Sequence, residues 1–161
     1  MALGRIYSAF FNDVTVTAAQ DFFELNCPSD ACVVLLEIHL SQQTEIGDAM
    51  EEMLNVLVKV GATTTGSGGS TPTAVPRSFG DPAYGGTVEA NNTTKATGGT
   101  IVTHLADWWN VRVPYDRVFT PETCITLGPT STSNRLTVEL VGAPTDTMEI
   151  SGWIVFEEIG G

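Results

Sequence analysis

Apolar and polar side chains alternate with a period of two residues along much of this chain, and that rhythm is its strongest constraint. Arg135-Leu136-Thr137-Val138-Glu139-Leu140 is the cleanest case. In an extended strand Leu136, Val138 and Leu140 face one way, and Arg135, Thr137 and Glu139 the other. Leu36–Ser41 repeats the pattern with Leu36, Ile38 and Leu40 inward, and Leu54, Val56, Val58 and Val60 form a third inward face. In the last run, Met148 to Glu157, one face carries Met148, Ile150, Ile154 and Phe156. Weaker strand signals cover Arg5–Phe10, Val14–Thr17, Phe22–Leu25, Thr87–Ala90, Ile101–Leu105, Asn110–Val113 and Cys124–Leu127. Many short strands separated by turn residues predict an all-β, antiparallel β-sandwich of jelly-roll-like form. A turn or two of helix is expected around Glu45–Leu54, where acidic residues suit a first helical turn.

The expected organisation is a single domain over 1–161. A chain of 17.1 kDa has a folded surface of roughly 7,800 Å² and buries about two thirds of its unfolded surface, enough for a core without disulfides or metal. One region breaks the rhythm. Thr63 to Thr73 reads Thr-Thr-Thr-Gly-Ser-Gly-Gly-Ser-Thr-Pro-Thr, and Gly85 to Thr100 is again rich in Gly, Thr and Asn. Residues 63–100 therefore read as one long loop or arm inserted in the sandwich, its first part too small in side chain to bury anything. Phe79 and Tyr84, within it, are residues that dock on something.

Charge excludes some functions. With 19 acidic and 7 basic residues the formal net charge is -12. The basic residues are scattered, so binding to nucleic acid or an anionic membrane is disfavoured. The longest apolar stretch, Ala31 to Leu36, is six residues, against about twenty for a membrane span. A soluble chain made in the cytoplasm is expected. Cys27, Cys32 and Cys124 are odd in number and fit buried or half-buried thiols better than a disulfide framework.

No reaction class emerges from the side chains, and the expectation is a protein that is not an enzyme and carries no cofactor or metal. His39 lies on the outward face of a strand. His104 and Asp107 are three apart, which on an extended chain places them on opposite faces. Gly66-Ser67-Gly68-Gly69-Ser70 lacks the strand and helix that frame a nucleophile elbow. Cys124 reads as a buried strand thiol. Glu45, Asp48, Glu51 and Glu52 lack the spacing of a calcium loop and read as a solvated acidic face. Trp108-Trp109 is more informative. Neighbouring strand residues face opposite sides, so at most one enters the core easily; the other either packs under the chain's own long excursion or lies on a surface, as an interface anchor or a stacking platform for carbohydrate. The interface candidates are Phe79, Tyr84, Trp108 and Trp109.

Four strings carry a family resemblance: Met1-Ala2-Leu3-Gly4-Arg5-Ile6-Tyr7-Ser8 at the start, Thr65 to Pro72 and Val88 to Thr94 in the middle, and Phe156-Glu157-Glu158-Ile159-Gly160-Gly161 at the end. Over most of its length the chain resembles the small accessory proteins that decorate or cement tailed-phage heads. The resemblance implies a jelly-roll-like homo-oligomer, often a trimer. It would sit on the capsid exterior of the virion, bridge capsomers of the major capsid protein, and be synthesised in the host cytoplasm. Head-fibre, tail or neck components, and a carbohydrate-binding sandwich module, are the competing expectations.

Overall fold

The computed structural model describes residues 4–44, 51–129 and 134–160. It is all-β, with no helix among the described residues. The strands are β1 (Arg5–Val16), β2 (Gln20–Asn26), β3 (Ala31–Gln42), β4 (Met53–Ala62), β5 (Val75–Pro76), β6 (Thr87–Asn92), β7 (Val102–Asn110), β8 (Tyr115–Val118), β9 (Ile125–Leu127), β10 (Arg135–Leu140) and β11 (Met148–Gly160). They form two antiparallel sheets. One, sheet A, has the order β5-β1-β11-β3-β8, with β9 also paired to β3; the other, sheet B, has the order β6-β2-β10-β4-β7. With β5 and β6 set aside, chain order alternates between β1-β11-β3-β8 and β2-β10-β4-β7. This is the strand order of a jelly roll, in which two interleaved Greek keys bring the first and last strands side by side.

The inward faces interdigitate as the alternation predicts. Tyr7, Ala9, Phe11, Val33, Leu35, Ile38, Leu40, Ile150, Ile154 and Phe156 from sheet A meet Phe23, Leu25, Leu54, Val56, Val58, Trp109, Leu136, Val138 and Leu140 from sheet B, and all are buried. In sheet A two strands shift parity midway. In β3 the pairing with β11 jumps between Val155 and Phe156, passing from Glu37 to Leu35. Leu36 is the residue left over, and this bulge turns it outward, contrary to its place in the sequence pattern. In β1 an irregularity between Phe11 and Val14 takes up the extra residue, with Asp13 at φ 52°. The two predicted segments, Arg5–Phe10 and Val14–Thr17, are therefore one strand.

Other boundaries also differ. Ile101–Leu105 and Asn110–Val113 are replaced by the continuous β7, and Asn110 ends it instead of starting a strand. Cys124 precedes β9 and is half-buried, its thiol donating to the Pro121 carbonyl at 3.3 Å. Cys27 is buried, its thiol directed at the carbonyls of Ala31 and Leu127, and all three cysteines are free. Most of the expected helical turn, with Glu45 and Asp48, lies outside the described residues.

The largest correction concerns residues 63–100. The segment joins β4 to β7 and is folded down as a strap across the outer face of sheet B. Bridges Thr64↔Thr97, Ser67↔Thr94 and Ser70↔Ala90 pair its outgoing and returning limbs. Between them β5 adds to β1 and β6 adds to β2, so the excursion closes one lateral edge of the sandwich. The accessible surface of 7848 Å² equals that expected for a compact chain of this mass, which an arm projecting into solvent would exceed. The low-complexity composition has a steric reason. A Cβ on Gly69 would stand 2.1 Å from the Ala90 carbonyl oxygen, and one on Gly66 would stand 2.5 Å from that of Thr94. Small residues are what let the strap lie flush.

Candidate functional site

Each sheet has one outer face, and the two faces differ in chemistry. Under the strap, residues that alternate outward on β2 and β10 are buried: Asp21, Glu24, Thr137 and Glu139. Glu24, 2% exposed, pairs with Arg135 and accepts from the Gly66 N–H at 2.9 Å, the Thr65 hydroxyl at 2.8 Å and the Asn92 amide at 3.2 Å. Lys59 and Lys95 both donate to Glu139, Lys95 at 2.7 Å. Burial pushes the Glu139 carboxyl upward, and the two ammonium groups more than cancel this, leaving it below the ordinary carboxylate value. Among the described residues Asp21 accepts only the Ala96 N–H, at 2.7 Å, and burial raises its pKa to about 6. These charges are committed to holding the strap.

The strap's far end is anchored by rings. Tyr84 packs on Tyr7 and edge-on against Phe156, with centroids 5.5 and 4.9 Å apart, and its hydroxyl donates to the Asn26 carbonyl at 2.7 Å. The Tyr7 hydroxyl donates to the Pro82 carbonyl at 3.0 Å and to Glu158 at 3.2 Å.

Of the four interface candidates, Tyr84 is thus engaged within the protomer. Trp109 is 1% exposed, opposite Leu54, with its indole N–H donating to the Val113 carbonyl at 2.7 Å. Trp108, opposite Asn55, is 59% exposed, and Phe79 stands fully in solvent. The pair of tryptophans divides as strand geometry requires. Trp108 belongs to β7, the edge of sheet B away from the strap, where Ile101 and Val102 are also exposed.

His104 and Asp107, also on β7, do not meet. Asp107 forms an ion pair with Arg117 of β8, which ties the two sheets together at that edge. His104 and Cys124 line a cleft of about 360 Å³, but the Cys124 thiol is given to Pro121 and Asp107 to Arg117. No hydrogen-bonded chain of nucleophile, base and orienting group forms among the described residues. Nor do three His, Cys, Asp or Glu side chains gather as metal ligands among them. Among the described residues no helix is long and apolar enough to cross a membrane.

The outer face of sheet A holds what the sequence reading missed. Cross-strand register places Phe10 of β1 opposite Trp153 of β11, Trp153 opposite His39 of β3, and His39 opposite Asp116 of β8. Four strands thus contribute one row of side chains. The His39 and Trp153 rings stack at 5.3 Å and 16°, and His39 Nδ1 is hydrogen-bonded to the Asp116 carboxylate. Phe10 is 60% exposed. With Ser8, Ser41 and Arg77 these rings line an open groove of about 440 Å³. Gly152 forms part of its wall, where a Cβ would come within 3 Å of Leu40 and Phe11. The signal was partly present in sequence: His39 and Trp153 occupy outward positions of strong strands, and Phe10 ends a weaker one. Only the pairing of first, last and third strands brings them together. Farther along the same face the outward-turned Leu36 joins Ile6, Val34, Phe119 and Ile159 in a second, apolar groove of about 350 Å³.

No known protein family matches the chain, and no curated protein resembles it in sequence. Among solved structures, the chain is weakly similar to a protein of the T=1 particles derived from infectious bursal virus. Identity is 11% and the TM-score is 0.19; the match covers 100% of this chain and 39% of the viral one.

Proposed function

We propose that the chain is a structural virion subunit that decorates or cements a tailed-phage capsid, bridging capsomers of the major capsid protein as a homo-oligomer. The carrying observation is the asymmetry of the jelly roll's two lateral edges. The strap closes one, whereas β7 at the other is a nine-residue edge strand exposing Val102 and Trp108, with Ile101 exposed just before it. Its one acidic side chain, Asp107, is neutralised by Arg117. An edge without free charge or proline is a pairing surface unless it is covered, and an exposed tryptophan is a common interface anchor. A contact between this edge and a different patch on the next copy is heterologous and closes into a ring, such as a trimer. The net charge of -12 suits the outside of a DNA-filled shell better than its inside.

The test is addition of purified protein to heads that lack it. Binding in hundreds of copies, with raised resistance to heat or chelation, is the expected result, and Trp108→Ala should reduce occupancy at limiting protein. Absence of binding, or a handful of copies confined to a vertex, tail or neck, refutes the reading.

A further inference from the structure

We infer that the groove on the outer face of sheet A is a carbohydrate-binding site, with Phe10 and Trp153 as its aromatic walls. The inference stands independently of the capsid reading. A pyranose is amphiphilic: its axial C–H face packs on aromatic rings, while its hydroxyl edge needs hydrogen-bond partners. The groove offers both. Phe10 and Trp153 are cross-strand neighbours on the same outward face, and the His39 ring backs the indole. The hydrogen bond from His39 to Asp116 fixes that imidazole and so holds the platform rigid. Ser8, Ser41 and Arg77 supply hydroxyl and guanidinium groups with no side-chain hydrogen bond among the described residues, whereas the acidic and amide groups under the strap are consumed by one another.

The volume, about 440 Å³, lies within the range of small-molecule sites, roughly 300–1,000 Å³. A purely apolar occupant would leave the serines and Arg77 unsatisfied, and a polyanion is opposed by the chain's net charge of -12. The remaining class with matching chemistry is a neutral or singly acidic sugar, presented by a glycan chain lying across β1, β11 and β3.

The experiment is titration of the intact protein with maltohexaose, cellohexaose, chitohexaose and a sialylated lactose, read by saturation-transfer NMR and tryptophan fluorescence. A decaproline peptide serves as the competing probe. At least one sugar should bind with Kd on the order of 1 mM, the affinity that about a dozen ligand heavy atoms support at an open site. Phe10→Ala and Trp153→Ala should each weaken it about tenfold, and Trp108→Ala should leave it unchanged. Should Trp153→Ala fold poorly, Phe10→Ala and Ser41→Ala, both at outward positions, carry the test. No binding by any of the four sugars overturns the assignment. So do binding that survives both aromatic substitutions, binding abolished by Trp108→Ala, and a preference for the proline peptide. None of these outcomes bears on attachment to heads.

Discussion

The outer faces of the two sheets begin from the same sequence rule and end as opposites. On β10, Thr137 and Glu139 alternate outward as His39 and Ser41 do on β3. Yet the face bearing Thr137 and Glu139 is buried beneath the strap, while the face bearing His39 and Trp153 stays open. The strap's own composition makes the difference. Its glycines allow backbone to approach backbone, and the carboxylates of Glu24, Glu139 and Asp21 beneath it each find hydrogen-bond donors. Burying carboxylates is tolerated only with such compensation. One face is thus a third layer of structure built from polar chemistry, and the other is a surface kept free.

Breaking the covered face should be costly. Glu24→Ala takes the ion-pair partner from Arg135, whose side chain is 11% exposed, and removes the acceptor for the Gly66 N–H and for Thr65. Removing one partner of a buried ion pair costs about 3–5 kcal/mol, so urea unfolding should show a loss of that size. Limited proteolysis should then cut within residues 63–74. Gly69→Ala tests the steric half of the argument. Its Cβ would clash with the fixed Ala90 carbonyl oxygen at 2.1 Å, and the strap must lift, at a cost of about 2–3 kcal/mol. Gly80→Ala meets no neighbour and carries only the strain of its φ of 103°, about 1 kcal/mol. Equal losses at the two glycines would show that close approach is not what the composition serves.

The covered face also carries its own titration. Asp21 is 1% exposed with a pKa raised to about 6, against 3.8 for the ordinary group. The folded state therefore holds the proton more tightly than the unfolded chain. Stability from this group is full below about pH 4 and declines as pH rises through 6. Asp21→Asn keeps an acceptor for the Ala96 N–H and removes the ionisation. Relative to the parent, the variant should gain stability on going from pH 4 to pH 7.5, by at most roughly 3 kcal/mol for a shift of about two units. A parallel pH profile for the two proteins would place the Asp21 carboxyl in contact with water.

The jelly roll was legible because its core strands obey one local rule. Leu136, Val138 and Leu140, or Leu54, Val56 and Val58, announce an inner face wherever they sit. Leu36 was misplaced because a bulge depends on the partner strand, and β11 lies more than a hundred residues away. The strap was unreadable for a related reason. Small, polar residues signal flexibility when considered alone, and their role depends on what they lie against. The aromatic row was hidden by topology, since Phe10, Trp153 and His39 become neighbours only when the first, last and third strands pair. Trp108 and Trp109 were the exception, because two adjacent strand residues divide between inside and outside without knowledge of any partner.

The open face should yield the smallest change in stability, which makes it the sharpest end of the comparison. Phe10→Ser exchanges a ring that is already 60% exposed and leaves the inward neighbours Ala9 and Phe11 in place. Outward substitutions away from caps, ion pairs and special backbone geometry usually fall within about 0.5 kcal/mol, and the urea midpoint should move by no more than that implies. A loss approaching that of Glu24→Ala would mean that Phe10 is held by contacts the groove does not display, so that the face is structural after all. A near-zero change has a further implication. The fold then has no use for an aromatic row across β1, β11 and β3, and the Phe10 ring is left available to a ligand.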